Sequence, residues 1–169
     1  IFRILKETIR EGKAEEYEEA SRKIRELIES KEIPAEIRDE IVKAYRKLSR
    51  IVGIPHVPVA VRSSATAEDL PGASFAGQQE TYLNVRGIDE LLEKVKRCWS
   101  SLFTPRAIFY RDQKGFEHEK VYLSVAVQKM VNSKAAGVIF TLNPVTGDRS
   151  QIVIEASWGL GETVVGGKV

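Results

Sequence analysis

Cysteine is almost missing from this chain: Cys98 is the only one in 169 residues. One thiol can neither close an internal disulfide nor supply a cysteine-based zinc site, so a disulfide-stapled scaffold is excluded and a reducing, cytoplasmic setting is expected. Histidine is scarce too. His56 stands at a strand entrance and His118 between two glutamates; so far apart, they offer no metal-ligand spacing and are read as surface residues. No stretch approaches the roughly 18 apolar residues of a membrane helix, so a membrane partner or span is not expected. An excess of one charge is also lacking. The 26 Lys and Arg face 24 Asp and Glu, for a formal charge of +2, and no basic stripe interleaved with aromatics marks a nucleic-acid partner. The chain does not open on Met, and its first residues, IFRILKETIREGK, turn charged at once. That reads as an excised piece of a longer protein rather than a secretory leader. Asn and Gln are few while Glu, Lys and Arg dominate, a balance that leans toward a thermophile source.

What is present is enough for a core. Apolar residues make up 43% of the chain, which fits one domain or part of one. Residues 1–54 are charged and helical in period. Tyr17, Ala20, Ile24, Leu27 and Ile28 recur at three- and four-residue spacing, as do Ile37, Ile41, Ala44, Tyr45 and Leu48. Each set draws one apolar stripe on a helix. Pro34 suits the first turn of the second helix, and Gly53 with Pro55 ends it. The expectation is a helical hairpin packed on a neighbour, with its charges in solvent.

Residues 55–169 have more Val, Gly and Thr. A strand is expected over His56–Val61, ending at Arg62, with a loop from Ser63 to Gly77 and a second strand over Glu80–Val85. Ile88, Leu91, Leu92, Val95, Trp99 and Leu102 mark an amphipathic helix. Thr104 and Pro105 read as a cap and first position of another, ending near Gly115. β-rich runs follow at Val121–Val131, Ala135–Leu142 and Ile152–Ala156, with Asn143-Pro-Val-Thr-Gly147 as a turn. The two regions are expected to form one partial domain of α+β class, with a mostly antiparallel sheet.

The most informative stretch is Val61-Arg-Ser-Ser-Ala-Thr-Ala-Glu-Asp-Leu-Pro-Gly-Ala-Ser-Phe-Ala-Gly-Gln-Gln-Glu-Thr81. An arginine follows an apolar strand, and hydroxyl and glycine residues follow the arginine. Phosphate oxygens seek guanidinium, hydroxyl and bare backbone N–H donors, and glycine lets a backbone come close. A polyphosphate clamp and an ordinary surface loop with Arg62 paired to Glu68 or Asp69 both fit. The glycine-rich tail is neither of two familiar loops. Counting from Gly161, Gly167 stands where a Walker lysine is required; in a dinucleotide fingerprint, Val164 takes the third glycine's place.

Taken together, Val61–Pro71 and Ala73–Asn84 resemble the nucleotide-binding domain of the phosphoenolpyruvate synthase (pyruvate, water dikinase) family. Further segments agree in order: Ser101-Leu-Phe with Arg106-Ala-Ile and Tyr110-Arg111, then Val127–Val131, Gly137–Thr141, Asn143–Gly147 and Trp158–Glu162. The resemblance runs from about 57 to 169, while 1–54 agrees only in character. It implies an ATP-grasp-like fold, incomplete at both ends, holding ATP with Mg²⁺. It implies that Arg62 meets the terminal phosphates as the catalytic cation and that Gly77 and Thr81 line the phosphate and ribose side. Gln128 would lie at the adenine side, with Lys129 and Val131 offering backbone groups to the base. The partners it implies are a swivelling phosphohistidine domain and pyruvate on another domain. The family's glycine- and lysine-rich motif would lie upstream, its metal-binding Glu and Gln downstream, and its phosphohistidine elsewhere, so this piece alone is expected to be inactive. A rifamycin-type antibiotic phosphotransferase, sharing the same clamp with another acceptor, is the alternative. Pyruvate, phosphate dikinase fits less well at Ser64 and Ala73-Ser-Phe, and a non-catalytic binding domain is the remaining reading.

Overall fold

The computed structural model describes residues 1–65 and 80–167. They divide into two compact units, Ile1–Met130 and Val131–Val169. The change of texture at residue 54 is therefore not a boundary between units; the division comes after Met130.

The first unit contains helices α1 (Phe2–Thr8), α2 (Ala14–Ser30), α3 (Ala35–Val52), α4 (Ile88–Ser101) and α5 (Pro105–Lys114). It also contains strands β1 (Val59–Ala65), β2 (Thr81–Val85) and β3 (Leu123–Lys129), with a short 3₁₀ turn over His118–Lys120. The strands form one antiparallel sheet in the order β2-β1-β3.

Local chemistry explains the helix ends. The Thr104 hydroxyl accepts the Ala107 N–H, Pro105 occupies the first turn, and Gly115 closes α5 in the left-handed region at φ 69°, as expected for such a cap and stop. Gly53 ends α3 in the same way at φ 72°. Pro34 is one position earlier than expected: it is the N-cap of α3, not a residue of its first turn. The Lys96 ammonium donates to the carbonyls of Glu29 and Lys31 at 2.8 and 3.0 Å. A cation from α4 thus meets the free carbonyls at the end of α2, where the helix dipole favours it.

Burial sorts the helices into two cores. Tyr17, Ala20 and Ile24 of α2 pack with Leu5, Leu102, Phe103, Ile108 and Val121. Tyr45 of α3 packs with Val57, Val59, Val61, Val85, Leu91, Val95 and Cys98. Each Val, Leu, Ile or Phe side chain taken fully from water contributes about 1.5–3 kcal/mol. The hairpin expectation is corrected here. α2 packs on α4, α5 and α1, while α3 packs on α4, because their apolar stripes serve different cores. In α3 only Tyr45 is fully buried, and Ile37 is exposed.

The second unit contains β4 (Ala135–Phe140) and β5 (Val153–Trp158), an antiparallel pair, and the short helix α6 (Glu162–Val165). The Asn143 carboxamide organises the connecting turn. Its Oδ1 accepts the N–H groups of Val145 and Thr146, and its Nδ2 donates to Gln151. Large apolar side chains stay exposed, among them Ile139 and Ile154, which face each other across the pair, with Val145 and Trp158. Every strand pair among the described residues is antiparallel, so the α+β expectation holds.

Candidate functional site

The sheet of the first unit has two unlike faces. In β1, Val59 and Val61 are fully buried against α3 and α4, while Arg62 and Ser64 are exposed. Alternation along a strand places successive side chains on opposite faces, and residues paired across antiparallel strands share a face. Arg62 pairs with Thr81 on β2 and Ala126 on β3, Ala60 with Gln128, and Ser64 with Ser124. Arg62, Thr81, Ser124 and Gln128 therefore stand together on the face turned away from α3 and α4. Its cross-strand partners Thr81 and Ala126 are small, and among the described residues no carboxylate pairs with it.

Two expectations are corrected. Arg62 is not at the end of its strand: β1 begins at Val59 and continues to Ala65, so the arginine is mid-strand, fixed on both sides by neighbouring backbones. The expected loop at Ser63–Ala65 is strand, because those residues pair with Leu123, Ser124 and Val125. Gly77, and with it Glu68 and Asp69, lies outside the described residues. Lys129 pairs with Val59, so its side chain projects from the face opposite Gln128. Val131 is exposed and is the first residue of the second unit.

The register between β1 and β2 shifts between Val59 and Val61, and Asn84 takes a positive φ of 58° beside it. An extra residue on one strand bends it and raises its twist. Here it lets Val85 stay in the core while Thr81 comes opposite Arg62. Behind the site, Cys98 is fully buried, its Sγ 3.7 Å from the carbonyls of both Val61 and Glu80. Burial, with the Glu80 charge second, pushes the thiol up to about 11. It is a neutral packing group, not a nucleophile. The Ser63 hydroxyl donates to the Glu80 carbonyl at 3.4 Å.

A second polar cluster, unseen from sequence, lies between α2, α5 and the 3₁₀ turn. Arg111 has no exposed surface and sits 5.5 Å over the Phe103 ring. Its Nε donates to His118 Nδ1 at 2.9 Å. His118 Nε2 then donates to Asp112 Oδ1 at 2.9 Å, and Asp112 Oδ2 accepts the Tyr17 hydroxyl at 2.9 Å. The reading of His118 as a surface residue is corrected: its side chain is only 17% exposed. Burial first, then the Arg111 charge, holds the imidazole below its ordinary value. Burial also lowers Arg111, to about 10, against the pull of Asp112. Tyr17 is pushed up to about 12 by burial and then by Asp112. No periodicity could reveal this cluster, since its members come from three elements.

Among the described residues no group of three or more His, Cys, Asp or Glu is placed to hold a metal ion. No described helix is long and apolar enough to cross a membrane.

An exposed arginine at mid-strand, opposite a hydroxyl and with no counter-carboxylate among the described residues, is suited to face an anion on an α+β scaffold. The chain belongs to the family described as pyruvate phosphate dikinase, AMP/ATP-binding domain, whose model matches residues 1–169. Among its relatives, the probable phosphoenolpyruvate synthase of Pyrococcus abyssi is 66% identical over 146 residues, covering 86% of this chain and 18% of that protein. The phosphoenolpyruvate synthase of Aeropyrum pernix is 57% identical over 169 residues, covering all of this chain and 21% of the relative. The probable phosphoenolpyruvate synthase of Archaeoglobus fulgidus is 60% identical over 169 residues, covering all of this chain and 22% of the relative. The chain thus spans about a fifth of the length of these relatives.

Proposed function

We propose that this chain is the ATP-binding part of a phosphoenolpyruvate synthase, with the open face of the three-stranded sheet as the phosphate side of the nucleotide site. The observation that carries the reading is the placement of Arg62, exposed, unpaired among the described residues and directly opposite Thr81. Family membership supplies the nucleotide, and the names of the relatives favour a synthase over an antibiotic phosphotransferase.

In this reading the fold is ATP-grasp-like, with the nucleotide held between two lobes. The Arg62 guanidinium meets the terminal phosphates and stabilises charge as a phosphoryl group leaves. Its position between two strands means little reorganisation is needed on binding. Thr81 offers its hydroxyl on the same face. Gln128 lies one strand over, at the base side, with the backbones of Lys129 and Val131 as hydrogen-bonding partners for the adenine edge. Mg²⁺ would come with the phosphates, and no described residue is assigned to it. The whole enzyme would convert ATP, pyruvate and water to AMP, phosphoenolpyruvate and phosphate in the cytoplasm, through a phosphohistidine on a swivelling domain and a separate pyruvate site.

The test is Arg62→Ala in the full-length protein. ATP-dependent phosphoenolpyruvate formation should fall by roughly 10²–10³-fold, the usual loss for a group aimed at transition-state charge. Turnover near that of the unaltered protein would remove Arg62 from the mechanism.

A further inference from the structure

On the opposite side of the sheet from Arg62, the end of α3 and the start of α4 enclose an open cavity of about 600 Å³. Among the described residues its lining includes Tyr45, Arg46, Ser49, Arg50, His56 and Ile88, and none of the described lining residues is acidic. Arg46 and Arg50 are exposed and one helical turn apart, so they share a face of α3. The described ion pairs on this helix join Arg38 to Asp39 and Lys43 to Glu40. Arg46 and Arg50 have no such partner among the described residues, and like charges at this spacing repel.

The rest of the wall is ordered. The Tyr45 hydroxyl donates to the Val57 carbonyl at 2.9 Å and accepts the Gly87 N–H at 3.0 Å, so its capacity is used. Ser49 Oγ accepts the Val57 N–H at 3.4 Å, leaving its own hydrogen to donate. The His56 ring stands beside the start of α4: a Cβ built on Gly87 would lie 4.0 Å from its Nδ1. Asp89 and Glu90 stand in the first turn of α4, and the Glu90 carboxylate is engaged by the Arg86 N–H at 2.8 Å.

We propose that this cavity binds a small phosphate-bearing anion, such as a phosphate monoester, separately from the nucleotide. Two guanidinium forks and a hydroxyl are all donors, and a ligand made of acceptor oxygens is their complement. The volume lies within the range of small-molecule sites and exceeds the needs of one phosphate group, leaving room for an organic part. The site does not depend on the role given to Arg62.

The experiment is calorimetric titration of the full-length protein with inorganic phosphate at constant ionic strength, set by chloride. It is run on the unaltered protein, on Arg62→Ala, on Arg46→Ala/Arg50→Ala, and on Lys47→Ala as a surface control. Saturable binding should persist in the Arg62 and Lys47 variants and weaken at least tenfold in the double variant. Arg50→Lys, which keeps charge but loses the fork, should fall between. Circular dichroism establishes that the variants fold, as expected for exposed positions. Absence of saturable binding in the unaltered protein overturns the proposal, as does binding unchanged in the double variant. Binding lost only in Arg62→Ala would assign the phosphate to the nucleotide face and overturn it equally.

Discussion

The Arg25 guanidinium lies 3.6 Å from the Glu80 carboxylate, tying the middle of α2 to the residue just before Thr81. Arg25 also lies 3.6 Å from Glu29, whose carboxylate accepts the Ser100 hydroxyl at 2.6 Å. The charged helical region is thus connected to the strand that faces Arg62.

Both members of this pair are about one-third exposed, so Glu80→Gln should cost less than about 1 kcal/mol and lower the melting temperature by under about 4 °C. Cys98 should remain unreactive in that variant, because burial is the first cause of its raised value and Glu80 only the second. Thiol labelling at pH 8 checks this: slow in native protein of either sequence, fast after denaturation. Rapid labelling of the native variant would make Glu80 the dominant control.

Arg62→Lys separates charge from shape. A lysine keeps the cation but loses the planar fork that matches phosphate in two places. ATP affinity, measured by titration of the full-length protein, should fall less than in Arg62→Ala, while turnover should fall by at least tenfold. Equal turnover in the lysine variant would show that only charge matters at this position.

Tyr17 and Asp112 supply a spectroscopic prediction. Asp112→Asn removes the charge beside the Tyr17 hydroxyl, so the phenol should ionise below its present value of about 12, nearer the ordinary value of 10.0. Absorbance near 295 nm against pH reads the shift as a difference between variant and parent. An unchanged curve would leave burial alone responsible.

The same cluster sets an acid limit. Because His118 is held below its ordinary value of 6.5, the unfolded chain takes up this proton first as pH falls. Stability from the neutral imidazole is present above 6.5 and is lost as pH falls through the lower, folded value. The drop in melting temperature between pH 7 and pH 5 should therefore be smaller in His118→Gln. An equal or larger drop would place the acid sensitivity elsewhere.

In the second unit, Gly137→Ala should loosen the pairing of β4 with β5. A Cβ there would meet the Glu155 carbonyl oxygen at 2.6 Å and the Ala156 Cβ at 2.8 Å. Overpacking of this kind costs about 1–3 kcal/mol. Faster hydrogen exchange across Ala135–Phe140 and Val153–Trp158, with unchanged exchange in β1, is the expected result; uniform protection would count against it.

Residue types alone determined much of this protein. Thr104, Pro105 and Gly115 bounded α5, the three- and four-residue recurrence of apolar side chains drew α2 and α4, and the segment around Arg62 carried the family. Such features are legible because caps, turns and amphipathic stripes depend on neighbours a few positions away. Only the tertiary structure decided that Arg62 is mid-strand opposite Thr81, that Gln128 shares its face while Lys129 does not, and that Arg111 is buried against His118. Those facts rest on strand register and on packing between separate elements, and a shift of one residue in register would turn every side chain of β3 to the other face.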